Sequence, residues 1–184
     1  MAEPVPADAA ADVVIGDFAE IVRRHQSMVF SIALHFLADP SAAEELAQDV
    51  FMQLHAKLST LKSPQHMVFW LRKVTSHRCI DRMRRRRVPQ VSLEDSPESA
   101  VLEFSPSVQL ADPFLARRLR QLVASLPEKA RLMVILRYQE DLSAEDIAEI
   151  LDVPVATVKS DLQRALAMLR DKVIRTMGEV RSEK

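Results

Sequence analysis

Glycine occurs only twice in 184 residues. Glycine is the residue that lets a backbone take positive φ without steric cost, so a chain this poor in it has few places to turn sharply. Its abundant alanine, leucine, glutamate and arginine lose little freedom in a helical backbone. The expected fold is therefore all-α. A hydrophobic content of 48% suffices for one moderate core or two small ones.

Apolar spacing and cap signals divide the chain into helices. Phe18, Ile21, Val22, Met28, Val29, Ile32 and Phe36 recur at helical intervals, and Asp39-Pro40 breaks the run. Ser41 with Glu44 reads as a capping box opening a second helix with Leu46, Val50, Phe51, Leu54 and Leu58 on one face. Ser63-Pro64 places a cap before a first-turn proline and starts a third helix, which ends in the cluster Arg82, Arg84, Arg85, Arg86 and Arg87. Residues 89–112 then carry Glu94, Asp95, Glu98, Glu103 and Asp112, with Pro97 and Pro106, no basic residue and no sustained period. That segment is expected to be an extended acidic linker.

Asp112-Pro113 repeats the cap-then-proline signature and opens a second domain. Leu115, Leu119, Leu122, Val123 and Leu126 stripe its first helix, and Pro127 restarts another through Met133, Val134 and Leu136. Ser143 with Asp146 caps a short helix, Asp152-Val153-Pro154 forms a tight turn, and a long helix from near Val155 keeps Val158, Leu162, Ala165 and Leu169 in register. The expected organisation is a tail at 1–16, a domain at 17–88, a linker at 89–112, a domain at 113–178 and a charged tail at 179–184.

Cys79 is the only cysteine, which rules out an internal disulfide. The first residues lack the basic start and apolar run of a signal peptide, and no apolar stretch approaches membrane-spanning length. A cytoplasmic protein without membrane insertion is expected. His77 and Cys79 stand two apart on a helix and point to different sides, so no metal site is expected, and no cofactor. Neither a phosphate-cradling glycine loop nor a nucleophile motif is present; no enzymatic activity is expected. The net charge of -1 conceals segregated signs, with basic helices set against an acidic linker.

A short capped helix, a tight turn and a longer helix is the layout of a helix-turn-helix, whose second helix enters the DNA major groove. With Val158 and Leu162 facing inward, Ala156, Thr157, Lys159, Ser160, Gln163 and Arg164 face outward. Lysine and arginine suit guanine edges and phosphates, glutamine suits adenine, and small hydroxyls suit either. An ordinary helical hairpin with a solvated face presents the same pattern.

The segment LPEKARLMVILRYQEDLSAEDIAEILDVPVATVKSDLQRALAMLR, residues 126–170, closely resembles the promoter-binding fourth region of extracytoplasmic-function sigma factors of the sigma-70 family. The segments AAEELAQDVFMQLHAKL (42–58) and FWLRKVTSHRCIDRMRRRR (69–87) resemble the second region of the same family. Two blocks in the correct order, joined by a linker, are far more specific than one helix-turn-helix.

The resemblance implies a non-catalytic initiation factor whose partners are core RNA polymerase, promoter DNA and an anti-sigma factor. Glu45, Gln48, Asp49 and Phe51 would dock on the clamp coiled coil of the largest polymerase subunit, with the flap region as a further contact; Phe51 fits the core equally well. The loop at residues 59–66 and the third helix would read and open the minus-ten element, through Phe69, Trp70, Arg72, Lys73, His77, Arg78, Arg82, Arg84 and Arg85. Phe69 and Trp70 suit stacking on unpaired bases and suit a core equally. Ala156, Thr157, Lys159, Ser160, Gln163 and Arg164 would read the minus-thirty-five element.

Four positions depart from the family pattern. His77 stands where asparagine is usual, Asp152 and Ala156 replace glycines, and Asp161 replaces a basic residue. Aspartate tolerates left-handed backbone better than most residues, so the turn at Asp152 is expected to form. Asp161 either weakens phosphate contact or faces a neighbouring helix. Two other readings fit the residues: a stand-alone helix-turn-helix regulator that binds without polymerase, and a helical protein that binds polymerase without recognising promoters.

Overall fold

A computed structural model describes residues 17–87 and 113–182, and over these the chain is helical without a strand. The tail at 1–16, the linker at 89–112 and the cap residue Asp112 lie outside the described residues. The first unit comprises α1 (Phe18–Leu37), α2 (Pro40–Lys57), a 3-10 turn (Leu58–Thr60) and α3 (Pro64–Arg87). The second comprises α4 (Pro113–Ala124), α5 (Glu128–Tyr138), α6 (Ala144–Leu151) and α7 (Val155–Ser182). Helix α7 carries its backbone beyond residue 178, into the segment expected as a tail.

Helix α2 begins earlier than its capping-box reading implied. Asp39, not Ser41, is the N-cap: its carboxylate accepts from the Ala42 N–H at 2.9 Å, and Pro40 occupies the first turn. A residue before proline is driven to extended backbone, and Asp39 at φ -142, ψ 110 already has the geometry a cap needs. Its hydrogen bond from Ala42 and the nearby Arg86 guanidinium hold the carboxyl below its ordinary value of 3.8. A depressed carboxyl stabilises the fold above its unfolded value and loses that contribution as pH falls through the folded one. Asp39→Ala is therefore expected to cost about 1 kcal/mol at neutral pH. Urea denaturation should show that difference vanishing in acid, where the wild-type carboxyl is protonated.

The other caps follow the sequence. The Ser63 hydroxyl accepts from the His66 N–H at 3.1 Å. Ser143 and Asp146 form a reciprocal capping box on α6. Asp152 closes α6 in the left-handed region at φ 53, ψ 49, as expected of an aspartate in that turn.

Val29, Ile32, Ala33 and Phe36 of α1 pack on Ala43, Val50 and Leu54 of α2 and on Leu71 and Cys79 of α3, all fully buried. Burial pushes the Cys79 thiol up to about 12, which leaves it neutral and unreactive. Leu132, Met133, Val134, Ile135 and Leu136 of α5 are all buried. Five consecutive residues exceed one turn, so α5 must be covered on every side. Ala130 and Val134 face Ala165 of α7, while Leu132, Met133, Ile135 and Leu136 join the core of the first unit. The two units thus share one continuous apolar interior.

Polar groups tie the same boundary. Arg131 of α5 donates to the Phe36 carbonyl at 2.8 Å and to the Leu126 and Ala124 carbonyls, with its guanidinium 5.7 Å from the Phe36 ring centroid. It satisfies one of the carbonyls that the end of α1 leaves without an intrahelical partner. His35 of α1 meets the Gln139 side-chain oxygen, and the Gln139 amide donates to Ser31 at 2.9 Å. Burial holds the His35 imidazole below its usual value, which favours the neutral ring, and an amide oxygen partner requires its Nδ1 to carry the proton.

Candidate nucleic-acid interface

Three surfaces carry the residues singled out from the sequence. On α2, Glu45, Gln48 and Asp49 are exposed, and Met52 lies on the same helical stripe with 72% of its surface in solvent. Phe51 points the other way into the core at 8% exposure, so it supports this face from behind. Met52 was not singled out from the sequence. Its signal was an apolar residue at the i+3 and i+4 positions from two polar ones, off the buried stripe of α2.

Helix α3 presents Trp70, Lys73, Val74, His77, Arg78 and Asp81 along one side, at intervals of three and four residues. With Gln53 of α2 they line a groove of about 380 Å³. Trp70 and Phe69 are half-buried and packed against the core, and of the two only Trp70 lines the groove. Arg78 donates through Nε to the Gln53 amide oxygen at 3.0 Å, in the amide orientation that this donor demands. Farther along, Arg82 pairs with Glu45 and Arg86 with Asp39 at 2.6 Å, while Arg84 and Arg85 are exposed. The cations at the end of α3 also oppose its C-terminal partial negative charge.

The second unit lies against the start of this basic side. Arg72 pairs with Glu140 at 3.2 Å, and Lys73 with Asp152 at 2.7 Å. His77 donates through Nε2 to the Ile150 carbonyl at 2.9 Å. Lys73 also reaches the Glu149 carbonyl at 3.1 Å. The neighbouring lysine hydrogen-bonds the Asp152 carboxyl and holds it below its ordinary value. None of these partners was foreseen, because they lie 68 to 79 residues apart in sequence.

The third surface is the amino-terminal part of α7. Val158 is fully buried, while Ala156, Lys159, Gln163 and Arg164 are exposed and Thr157 and Ser160 half-buried. Lys159 pairs with Glu145 of α6 at 3.1 Å, and Arg164 with Asp161 one turn earlier. Asp161 is only 21% exposed through its side chain, so its carboxylate sits beside α7 rather than projecting outward, and it neutralises a neighbouring cation.

Comparison with known proteins matches two stretches of the chain to family models. One described as Sigma-70 region 2 covers residues 21–88, and one described as Sigma-70, region 4 covers residues 116–169. The chain is 31% identical over 158 residues to the RNA polymerase sigma-E factor of Streptomyces coelicolor, covering 86% of each protein. It is 25% identical over 165 residues to the ECF RNA polymerase sigma factor SigW of Bacillus subtilis, covering 85% of this chain and 88% of the other. In fold it is similar to the sigma factor RpoE of Bartonella quintana, solved in complex with the anti-sigma factor NepR. The TM-score there is 0.67 at 21% identity, over 84% of this chain and 95% of the other. It is similar also to CnrH, solved with the cytosolic domain of CnrY, at a TM-score of 0.62 and 19% identity.

Proposed function

The chain belongs to the extracytoplasmic-function branch of the sigma-70 family of RNA polymerase sigma factors, and from that premise we propose how its two units divide the work of promoter-specific initiation. The exposed stripe Glu45, Gln48, Asp49 and Met52 docks on core polymerase, its mixed acidic and apolar character suiting a protein partner. The groove side of α3, with Trp70, Lys73, His77 and Arg78 and the exposed Arg84 and Arg85 beyond it, takes the minus-ten DNA. Its cations meet phosphates and its aromatic rings accept unstacked bases. The outward face of α7 enters the major groove at the minus-thirty-five element.

The observation that carries this reading is the pairing, in one chain, of a basic helix beside an exposed acidic and apolar stripe with a capped helix-turn-helix whose second helix turns Lys159, Gln163 and Arg164 to solvent. The protein supplies recognition and strand separation, and phosphodiester chemistry stays with the polymerase, in the cytoplasm. The fold likeness to a sigma chain bound to an anti-sigma factor supports control of this chain by such a partner. A stand-alone regulator is disfavoured, since it has no use for the α2 stripe.

The test is co-elution of the full chain with bacterial core RNA polymerase, followed by transcription from promoter-enriched genomic fragments. Co-elution with specific initiation is expected. Gln163→Ala with Arg164→Ala should leave co-elution intact and lower specific initiation about 10- to 100-fold, the worth of one or two base contacts. Absence of co-elution would overturn the reading, and co-elution without initiation would leave only a polymerase-binding protein.

A further inference from the structure

We infer that Asp161 sets base discrimination at the minus-thirty-five element, as a positioning residue that aims Arg164; the inference rests on the assignment of α7 to that element. A carboxylate on a helix that meets DNA repels phosphate, so its presence there needs a compensating role. The two paired cations of this face are held differently. Lys159 pairs with Glu145 of α6 at 3.1 Å, with 61% and 62% of the two side chains in solvent. Water screens such a pair and it exchanges readily. Arg164 pairs through Nη2 with Asp161 Oδ1, and here the arrangement is lopsided: the arginine side chain is 69% exposed and the aspartate side chain 21%. The anion sits inboard, where solvent screens it less, and the cation projects from it. Ser160 Oγ lies 3.5 Å from the same Nη2. The Ser160 hydroxyl donates to the Thr157 carbonyl at 3.0 Å, so it faces Arg164 as an acceptor.

A guanidinium carries five donors in a rigid fork, so anchoring Nη2 fixes where the others point. Among the described residues Arg164 makes its hydrogen bonds through Nη2, which leaves Nη1 and Nε for an acceptor outside the chain. An outward arginine on a recognition helix donates in pairs to O6 and N7 of guanine, and the longer contact to Ser160 is the one a base replaces. An unanchored arginine must be ordered to make that contact, at a cost of about 2- to 10-fold in binding, and the cost falls only where guanine is present. Facing another base, the same free side chain swings to a phosphate and so favours the wrong sequence. Asp161 removes both losses. It orders the guanidinium before DNA arrives and cancels the charge that would hold any phosphate. The carboxylate therefore lowers affinity for DNA in general and raises discrimination at one base pair.

The experiment uses holoenzyme assembled with the full-length chain and a pool of templates built from one promoter that it transcribes, with the minus-thirty-five element randomised. Each element is tied to a barcode in the transcribed region, and barcode counts in RNA against DNA give the preference for every base at every position. Wild type is expected to prefer guanine about tenfold at one position, and Arg164→Ala to lose that preference. Asp161→Ala should lower it about three- to fivefold at that position alone. Asp161→Glu, whose carboxylate still reaches Arg164 across one turn, should restore most of it. Binding of the same holoenzymes to DNA without promoter sequence should move the opposite way, with Asp161→Ala tighter than wild type and its salt dependence steeper by about one counterion. A merely structural role would weaken both kinds of binding and blunt every position alike. That even loss would overturn the inference, as would an unchanged guanine preference in Asp161→Ala where Arg164→Ala loses it. Wild-type preferences in Arg164→Ala would remove Arg164 as the reader and overturn it too. Should transcription by wild type ignore the randomised element altogether, the assignment of α7 falls, and the inference with it.

Discussion

Met52→Asp is expected to weaken binding to core RNA polymerase about 100-fold or more while leaving the free protein folded. Met52 is 72% exposed among the polar residues Glu45, Gln48 and Asp49, and a flexible thioether in such a place suits an apolar pocket on a partner. Aspartate there would carry an unpaired charge into a closed interface, a cost of about 3 kcal/mol or more. In the free chain the same side chain is bathed in water, so its effect on stability should stay within about 0.5 kcal/mol. Titration of labelled core polymerase measures the loss. Thermal unfolding supplies the control. Polymerase binding at wild-type strength would remove Met52 from the interface, and Gln48→Ala with Asp49→Ala would then test whether the rest of the stripe belongs to it.

Phe36→Ala is expected to produce the largest loss of stability, about 3–5 kcal/mol. Phe36 is fully buried, its carbonyl accepts from Arg131, and its ring lies beneath the same guanidinium. Truncation leaves a cavity in the interior that both units share, and strips a half-buried arginine of its aromatic neighbour. For a chain of this size that loss corresponds to a melting temperature lower by about 10 °C. The sequence provides two spectroscopic reporters, since Trp70 is the only tryptophan and Tyr138 the only tyrosine. Trp70 lies on α3 and Tyr138 on α5. With one continuous core, both signals should shift together. A variant in which the Trp70 transition moves while that of Tyr138 does not would show two units folding independently.

Much of the local structure was legible before any contact was known. The helices follow the apolar spacing of residues such as Ile32 and Phe36, and Ser63-Pro64 and Ser143 mark the starts of α3 and α6 because a cap acts within its own turn. Even the error at α2 was local. Ser41 and Glu44 have the capping-box spacing, but the extended backbone that Pro40 imposes on Asp39 supplies the cap two residues earlier. The family resemblance drew on the same short-range information, and so the outward residues of α7 and the polar stripe of α2 could be named.

Sequence by itself determined the helices, their caps, the left-handed turn at Asp152 and the membership of both units in one family, since each depends on residues within a few turns of one another. Tertiary structure decided that the two units share a core, that Lys73 and His77 of α3 meet Asp152 and the end of α6, and that Met52 is left in solvent. Burial of α5 on all sides demands a second surface without naming it. Pairing of Arg72 with Glu140 needs the chain to return across 68 residues. Such partners are selected by the free energy of the assembled whole, through apolar surface removed from water and charges matched across it, and no local pattern encodes which surface that will be.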